Sequence, residues 1–233
     1  MKKLFSRYTP LQIAVHIYAW SAIARLIIEF MTHTTSVNPI QEMEQRTGLH
    51  AITLLMLSLV CTPLNTIFGW RELLKRRRAL GLYAFMYATI HIIIFVDIDR
   101  GLAWSLILRT VFNKPYILVG LASFLLLIPI AITSFDIWKT RLGKNWRRLH
   151  QVVYFIAPLV ILHYAWSKKG NLFTLQGDIL RPFIYGLILL LLLIFRIKPI
   201  RAFLASLRNR ILSPFYKPNP QLSNSRQIKK TSA

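Results

Sequence analysis

Six blocks of apolar residues dominate the chain, at Leu11 to Met31, Leu49 to Trp70, Leu80 to Val96, Tyr116 to Phe135, Leu149 to Trp166 and Ile179 to Phe195. Polar residues gather in the short gaps between them. Each block approaches the ~20 residues that an α-helix needs to cross ~30 Å of hydrocarbon, the last falling on the short side. None alternates apolar and polar positions as a barrel strand does. The pattern predicts an all-α integral membrane bundle of about six transmembrane helices over residues 11–195. A short N-terminal segment, 1–10, precedes it, and a basic, partly disordered tail, 196–233, follows. Thr32 to Thr47 reads as a polar connection with Asn38-Pro39 as its turn signal.

Composition agrees with lipid as the solvent, since 55% of the 233 residues are hydrophobic. The net charge of +22 does not turn the reading toward nucleic acid, because Lys and Arg lie in the gaps rather than on aromatic-interleaved surfaces. Their distribution predicts an orientation instead. Lys2, Lys3 and Arg7 precede the first block, Arg71 and Lys75 to Arg78 follow the second, and Lys139, Arg141, Lys144, Arg147 and Arg148 follow the fourth. The tail is also basic and the other three gaps are sparse in cations, so the positive-inside rule places both termini in the cytoplasm. The first block is expected to be a retained helix rather than a cleaved signal, because Arg25 and Glu29 interrupt it and no small-residue cleavage pattern follows Trp20.

Candidate chemistry is narrow. Cys61 is the sole cysteine, which excludes an internal disulfide or CxxC redox pair and reads as a small core residue. No GxGxxG or Walker A pattern occurs, so any reductant is expected from outside the chain. Histidine is the residue type that stands out: His16, His50, His91, His150 and His163 fall in or at the ends of the expected helices, and His33 in a loop. An ionisable residue inside a membrane helix is costly and usually faces the bundle interior. Haem answers this arrangement, because it is flat and apolar, slots between helices and takes neutral imidazole on its iron.

Depth suggests the pairing. At a rise of ~1.5 Å per residue from the cytoplasmic ends, His150 lies ~2 Å and His16 ~8 Å deep, whereas His91 and His163 lie ~17 Å and ~21 Å deep. His91 with His163 is therefore the expected outer pair, and His150, with His16 as a weaker partner, an inner site. His150 and His163 lie ~140° apart on an ideal helix, a phase that Pro158 between them could change, so one haem or two both fit. Zinc fits less well, since the chain has no HExxH and no cysteine cluster. His50 is expected to pack or face water. Arg25 and Glu29 share a helix face, either as an internal ion pair or as contacts to a haem propionate or quinone.

Several segments resemble the MsrQ (YedZ) family, the haem-binding membrane subunits of a periplasmic methionine sulfoxide reductase system, related to the ferric reductase and NADPH oxidase transmembrane domain. They are Thr47-Gly48, Thr62-Pro63, Arg78 to Leu82 leading to His91, Lys114-Pro115-Tyr116, Thr133-Ser134, and above all Arg141 to Trp146 followed by Leu149-His150, Tyr154 and His163 to Trp166. The resemblance covers about residues 10 to 200 and implies haem b, one or two per chain, with axial histidines matching His91, His150 and His163. It implies a multi-pass protein of the bacterial inner membrane that takes electrons from quinol or a flavin reductase. The electrons would go to an MsrP-like, molybdenum-containing periplasmic reductase that repairs oxidised proteins. Flavin mononucleotide is implied by the resemblance alone. Substrate chemistry, and hence any catalytic residue, is expected on the partner. Two rival expectations are a self-contained ferric or oxygen reductase, disfavoured by the lack of a flavin and nicotinamide domain, and a transporter with incidental histidines.

Overall fold

A computed structural model of the chain describes residues 9–32, 37–168, 170–171 and 176–212. Ten helices carry the described residues: α1 (Pro10–Met31), α2 (Pro39–Phe68), α3 (Arg71–Ile93, continued by a π-helical turn, Ile94–Asp99), α4 (Trp104–Asn113) and α5 (Pro115–Ile132). They are followed by α6 (Asp136–Leu142), α7 (Lys144–Gln151), α8 (Val153–Ser167), α9 (Leu180–Ile194) and α10 (Lys198–Leu212). Between α8 and α9 a two-residue antiparallel pair joins Gly170–Asn171 to Gln176–Gly177. Five segments are long and apolar enough to cross a membrane, with α7 and α8 counted as one. The pair α9 and α10, bent by 79°, makes a sixth if it is counted as a single broken span.

Local chemistry sets the limits of α2, the longest element. The Asn38 side chain accepts the Gln41 backbone N–H at 3.2 Å and Pro39 occupies the first turn, where its missing N–H is no loss. Gly69, at φ 70°, ends the helix in the left-handed conformation and returns its N–H to the Asn65 carbonyl at 2.9 Å. Hydroxyls inside the spans find partners on their own helix: Thr47, Thr53 and Thr66 donate to carbonyls four residues back at 2.7, 2.8 and 3.1 Å. In lipid no water is available to satisfy them, so these bonds remove a cost of several kcal/mol per stranded group.

The core lies where α2 packs along α3 and α5 along α8, the two most extensive helix contacts. Leu54, Leu59, Tyr87 and Ile156 are fully buried there. The outer surface is apolar as well: Ile17, Ile28, Leu125, Phe155 and Leu187 are all more than half exposed. A water-soluble domain does not present a belt of that kind, whereas a lipid-facing bundle does. The chain is a multi-pass membrane protein.

Several features depart from the expected spans: α3 begins at Arg71 instead of Leu80, so the basic run Lys75 to Arg78 is helical rather than a gap, and the fifth span is broken at Val152. The second helix begins at Pro39 instead of Leu49, adding ten residues, about 15 Å, to the end at which α3 finishes. An additional helix, α4, precedes α5. Residues 198–212, expected within the tail, form α10, whose Arg208 reaches the Thr66 carbonyl near the C-terminus of α2 at 3.3 Å. His33, residues 1–8 and residues 213–233, including the rest of the expected tail, lie outside the described residues.

Candidate functional site

The long α2 and the last turn of α3 bring backbone carbonyls and imidazoles together at one end of the bundle. His91 of α3 and His163 of α8 face each other with ring centres 6.3 Å apart and planes at 79°. Among the described residues this is the sole contact between two histidine rings. Nδ1 of His91 lies 2.9 Å from the Glu44 carbonyl oxygen on α2, and Nδ1 of His163 lies 2.6 Å from the Tyr116 carbonyl oxygen on α5. A carbonyl can only accept, so each Nδ1 carries the proton and donates it, and each Nε2 keeps its lone pair. That is the tautomer of a metal ligand, with the second nitrogen orienting the ring.

The spacing tests whether haem fits. Two iron–imidazole bonds of about 2 Å, with roughly 1 Å from each nitrogen to its ring centre, put axial imidazoles about 6 Å apart. The observed 6.3 Å agrees with that span. A tetrahedral zinc site would need more ligands, and among the described residues no three His, Cys, Asp or Glu side chains form a metal-binding group. The pair therefore suits a group that brings its own equatorial donors.

His150, on α7, occupies a separate place. Its ring stacks on Trp146 at 4.1 Å, its Nδ1 donates to the Trp146 carbonyl at 3.1 Å, and its Nε2 is buried without a partner. A buried nitrogen lone pair with nothing to accept is costly, and its chemistry suits either a hydrogen-bond donor or a metal ion. Trp146 is itself fixed by its Nε1–H, which donates to the Thr133 carbonyl at 2.8 Å. The helix is interrupted at Val152, where α7 gives way to α8, and Pro158 lies inside α8. His16 is engaged by the Tyr83 hydroxyl at 2.6 Å, and no hydrogen bond or ring contact joins it to His150 among the described residues.

The remaining candidates have structural partners. His50 donates from Nδ1 to the Arg46 carbonyl at 2.7 Å and stacks on Tyr87 with ring centres 5.4 Å apart, a packing role. Arg25 bonds Glu29 at 2.8 Å, Glu29 also bonds Arg46, and Arg46 bonds Glu42, so the pair belongs to an ionic chain that ties α1 to the start of α2. Cys61 is buried in the core. Sequence reasoning did not single out Arg196, which enters the bundle between α9 and α10. Its guanidinium donates to the Tyr154 hydroxyl and, at 2.8 Å, to the Leu59 carbonyl, and sits 4.5 Å from the Tyr154 ring centre. A lone Arg beside a helix end carries no pattern that marks it in sequence. An apolar groove of about 320 Å³, lined by Ile161, Ala165, Phe183 and Leu187, contains none of the histidines and opens on the lipid-facing surface.

Comparison with known proteins places these residues in a family context. Residues 47–161 match the family described as ferric reductase like transmembrane component. The protein-methionine-sulfoxide reductase heme-binding subunit MsrQ of Xanthomonas axonopodis pv. citri is 40% identical over 189 residues, covering 78% of this chain and 84% of that protein. The subunit of the same name from Xanthomonas campestris pv. campestris is 40% identical over 190 residues, 79% of this chain and 84% of its own. That of Herminiimonas arsenicoxydans is 38% identical over 190 residues, 81% and 85% respectively. No solved structure matches the chain.

Proposed function

The chain belongs to the MsrQ family of heme-binding subunits, and we propose that it is the haem b electron carrier of a methionine sulfoxide reductase system. The observation that carries the reading is the facing pair His91 and His163, each with Nδ1–H donated to a carbonyl and 6.3 Å between ring centres. Haem bound there supplies a one-electron ferric/ferrous couple. The chain's own residues hold the rings in one tautomer and set the site at the end of the bundle where α3 finishes.

Both termini and the basic ends of α3 and α7 lie on the cytoplasmic side of the bacterial inner membrane in this reading, because Lys75 to Arg78 and Lys144 to Arg148 cluster there. The His91–His163 end then faces the periplasm, beside a molybdenum-containing, MsrP-like reductase that repairs oxidised proteins. His150, with its unpartnered Nε2, is the ligand of a second haem nearer the cytoplasmic face, with His16 on α1 as the candidate opposite ligand. Electrons enter on that side from quinol or a flavin reductase. Flavin mononucleotide, implied by the family resemblance, is a further cofactor in this reading. Substrate chemistry belongs to the partner protein.

A dithionite-reduced minus oxidised spectrum of the detergent-purified protein, with haem quantified per chain, tests the reading. A b-type spectrum is expected. His91→Ala and His163→Ala should each remove the same haem while the helices stay inserted. Full haem content in both variants would overturn the pair, and a haem-free protein from a haem-replete host would overturn the carrier.

A further inference from the structure

The two facing histidines are held by the same device, used twice. Each donates from Nδ1 to the carbonyl of a residue 47 positions earlier, His91 to Glu44 and His163 to Tyr116. Each ring also lies against a glycine four residues beyond that carbonyl: Gly48 for His91 and Gly120 for His163. The same interval of 72 residues thus relates Glu44 to Tyr116, Gly48 to Gly120 and His91 to His163. It also carries Lys75 and Arg76, near the start of α3, onto Arg147 and Arg148 of α7, the helix that precedes α8. The equivalent halves, α2 with α3 and α5 with α8, are the two most extensive helix pairs in the fold.

Helix geometry explains why the fourth residue is glycine. A Cα–Cβ bond leans toward the helix N-terminus, so a side chain covers the turn before its own Cα. The carbonyl of residue i is the one that accepts the N–H of residue i+4, and a Cβ at i+4 leans over it. In both places the imidazole that reaches this carbonyl from the neighbouring helix occupies the space where that Cβ would be. A Cβ built on Gly120 meets Nδ1 of His163 at 2.6 Å and Cε1 at 2.7 Å, closer than such atoms can approach. On Gly48 it meets Nδ1 and Cε1 of His91 at 3.3 Å, a tight contact that a small movement relieves. Gly186, elsewhere in the bundle, has its nearest neighbour, Ile161, at 3.6 Å, an ordinary contact.

We propose that Gly48 and Gly120 are positioning residues for the axial histidines, forming two repeat-related carbonyl-and-glycine cradles that turn His91 and His163 toward one haem from opposite sides. The proposal rests on the haem-carrier reading and adds to it an order: Gly120 constrains its histidine more tightly than Gly48.

The test uses the full chain, purified with haem, and reads the low-spin ferric EPR signal, the midpoint potential and the rate of haem loss to apomyoglobin. Gly120→Ala should shift the EPR signal and the potential and speed haem loss about tenfold or more, the usual scale when a ligand's orienting contact is lost. Gly48→Ala should shift both in the same sense by less, with haem retained, and Gly186→Ala should match the unsubstituted protein. Wild-type signals in Gly120→Ala, or a larger effect in Gly48→Ala, would overturn the cradle. Where Gly120→Ala fails to accumulate, the double variant Gly120→Ala with His163→Ala decides. Removal of the ring removes the collision, so accumulation should recover to that of His163→Ala alone, and a double variant no better than Gly120→Ala overturns the proposal. His91→Ala and His163→Ala separate the two levels of argument. Loss of the signal in both, beside an unaltered Gly120→Ala, rejects the glycine cradle only, whereas its persistence in both rejects the haem pair.

Discussion

Trp146 shows how much of the chemistry here depends on single side chains. It stacks on His150, anchors its own indole on the Thr133 carbonyl and carries Lys139 5.8 Å from its ring centre. Phenylalanine at this position keeps most of the stacking and loses the Nε1–H donor. Trp146→Phe is expected to lower stability by about 1 kcal/mol and to broaden the signal of any haem held by His150, with the His91–His163 signal unchanged. Thermal unfolding in detergent and EPR on the same sample check both. His91 and His163 could be paired from sequence because depth follows from counting residues at a fixed rise. The carbonyls of Glu44 and Tyr116 could not be named that way, since every residue has a carbonyl and only helix packing selects which one a ring meets.

The helices themselves were legible where lipid alone decides them. Long apolar blocks must be helical in a bilayer, because no other open structure satisfies its backbone polar groups there. Their ends were less legible, for the extension of α2 back to Pro39 depends on the Asn38 cap and on partners such as Arg46, which bonds both Glu29 and Glu42. At the other end of α2, Gly69 holds φ 70°. Gly69→Ala would force an L side chain into the left-handed region at a cost of about 1–2 kcal/mol, although its nearest neighbour there, Arg208, is 3.7 Å away with room for a methyl group. Thermal unfolding should show a lower midpoint with the haem spectrum unaltered, since the turn lies at the opposite end of α2 from Gly48.

At the scale of the whole molecule, the charge pattern and the fold make one statement about topology. Lys75 lies at the basic end, near the start of α3, and Gln45 lies near the start of α2, beside Glu44 at the His91 end. Cys61 is buried, so native thiol reactivity should be low and an introduced cysteine readable above it. Gln45→Cys is expected to react with an impermeant maleimide added to intact cells, and Lys75→Cys only after the membrane is opened. The reverse pattern would invert the proposed orientation and place the His91–His163 site at the cytoplasmic face.

The sequence by itself determined that the chain is a membrane-embedded helical bundle with histidines at matched depths. Those properties follow from residue type and linear distance: transfer of apolar side chains to lipid and a fixed helical rise. Tertiary structure decided which imidazole nitrogen is bare, because that depends on the carbonyl each ring reaches across a helix interface. It also decided that Gly48 and Gly120 matter. The 72-residue interval was present in the sequence throughout, but a glycine is informative only once the space its missing Cβ leaves is seen to be filled by a particular ring.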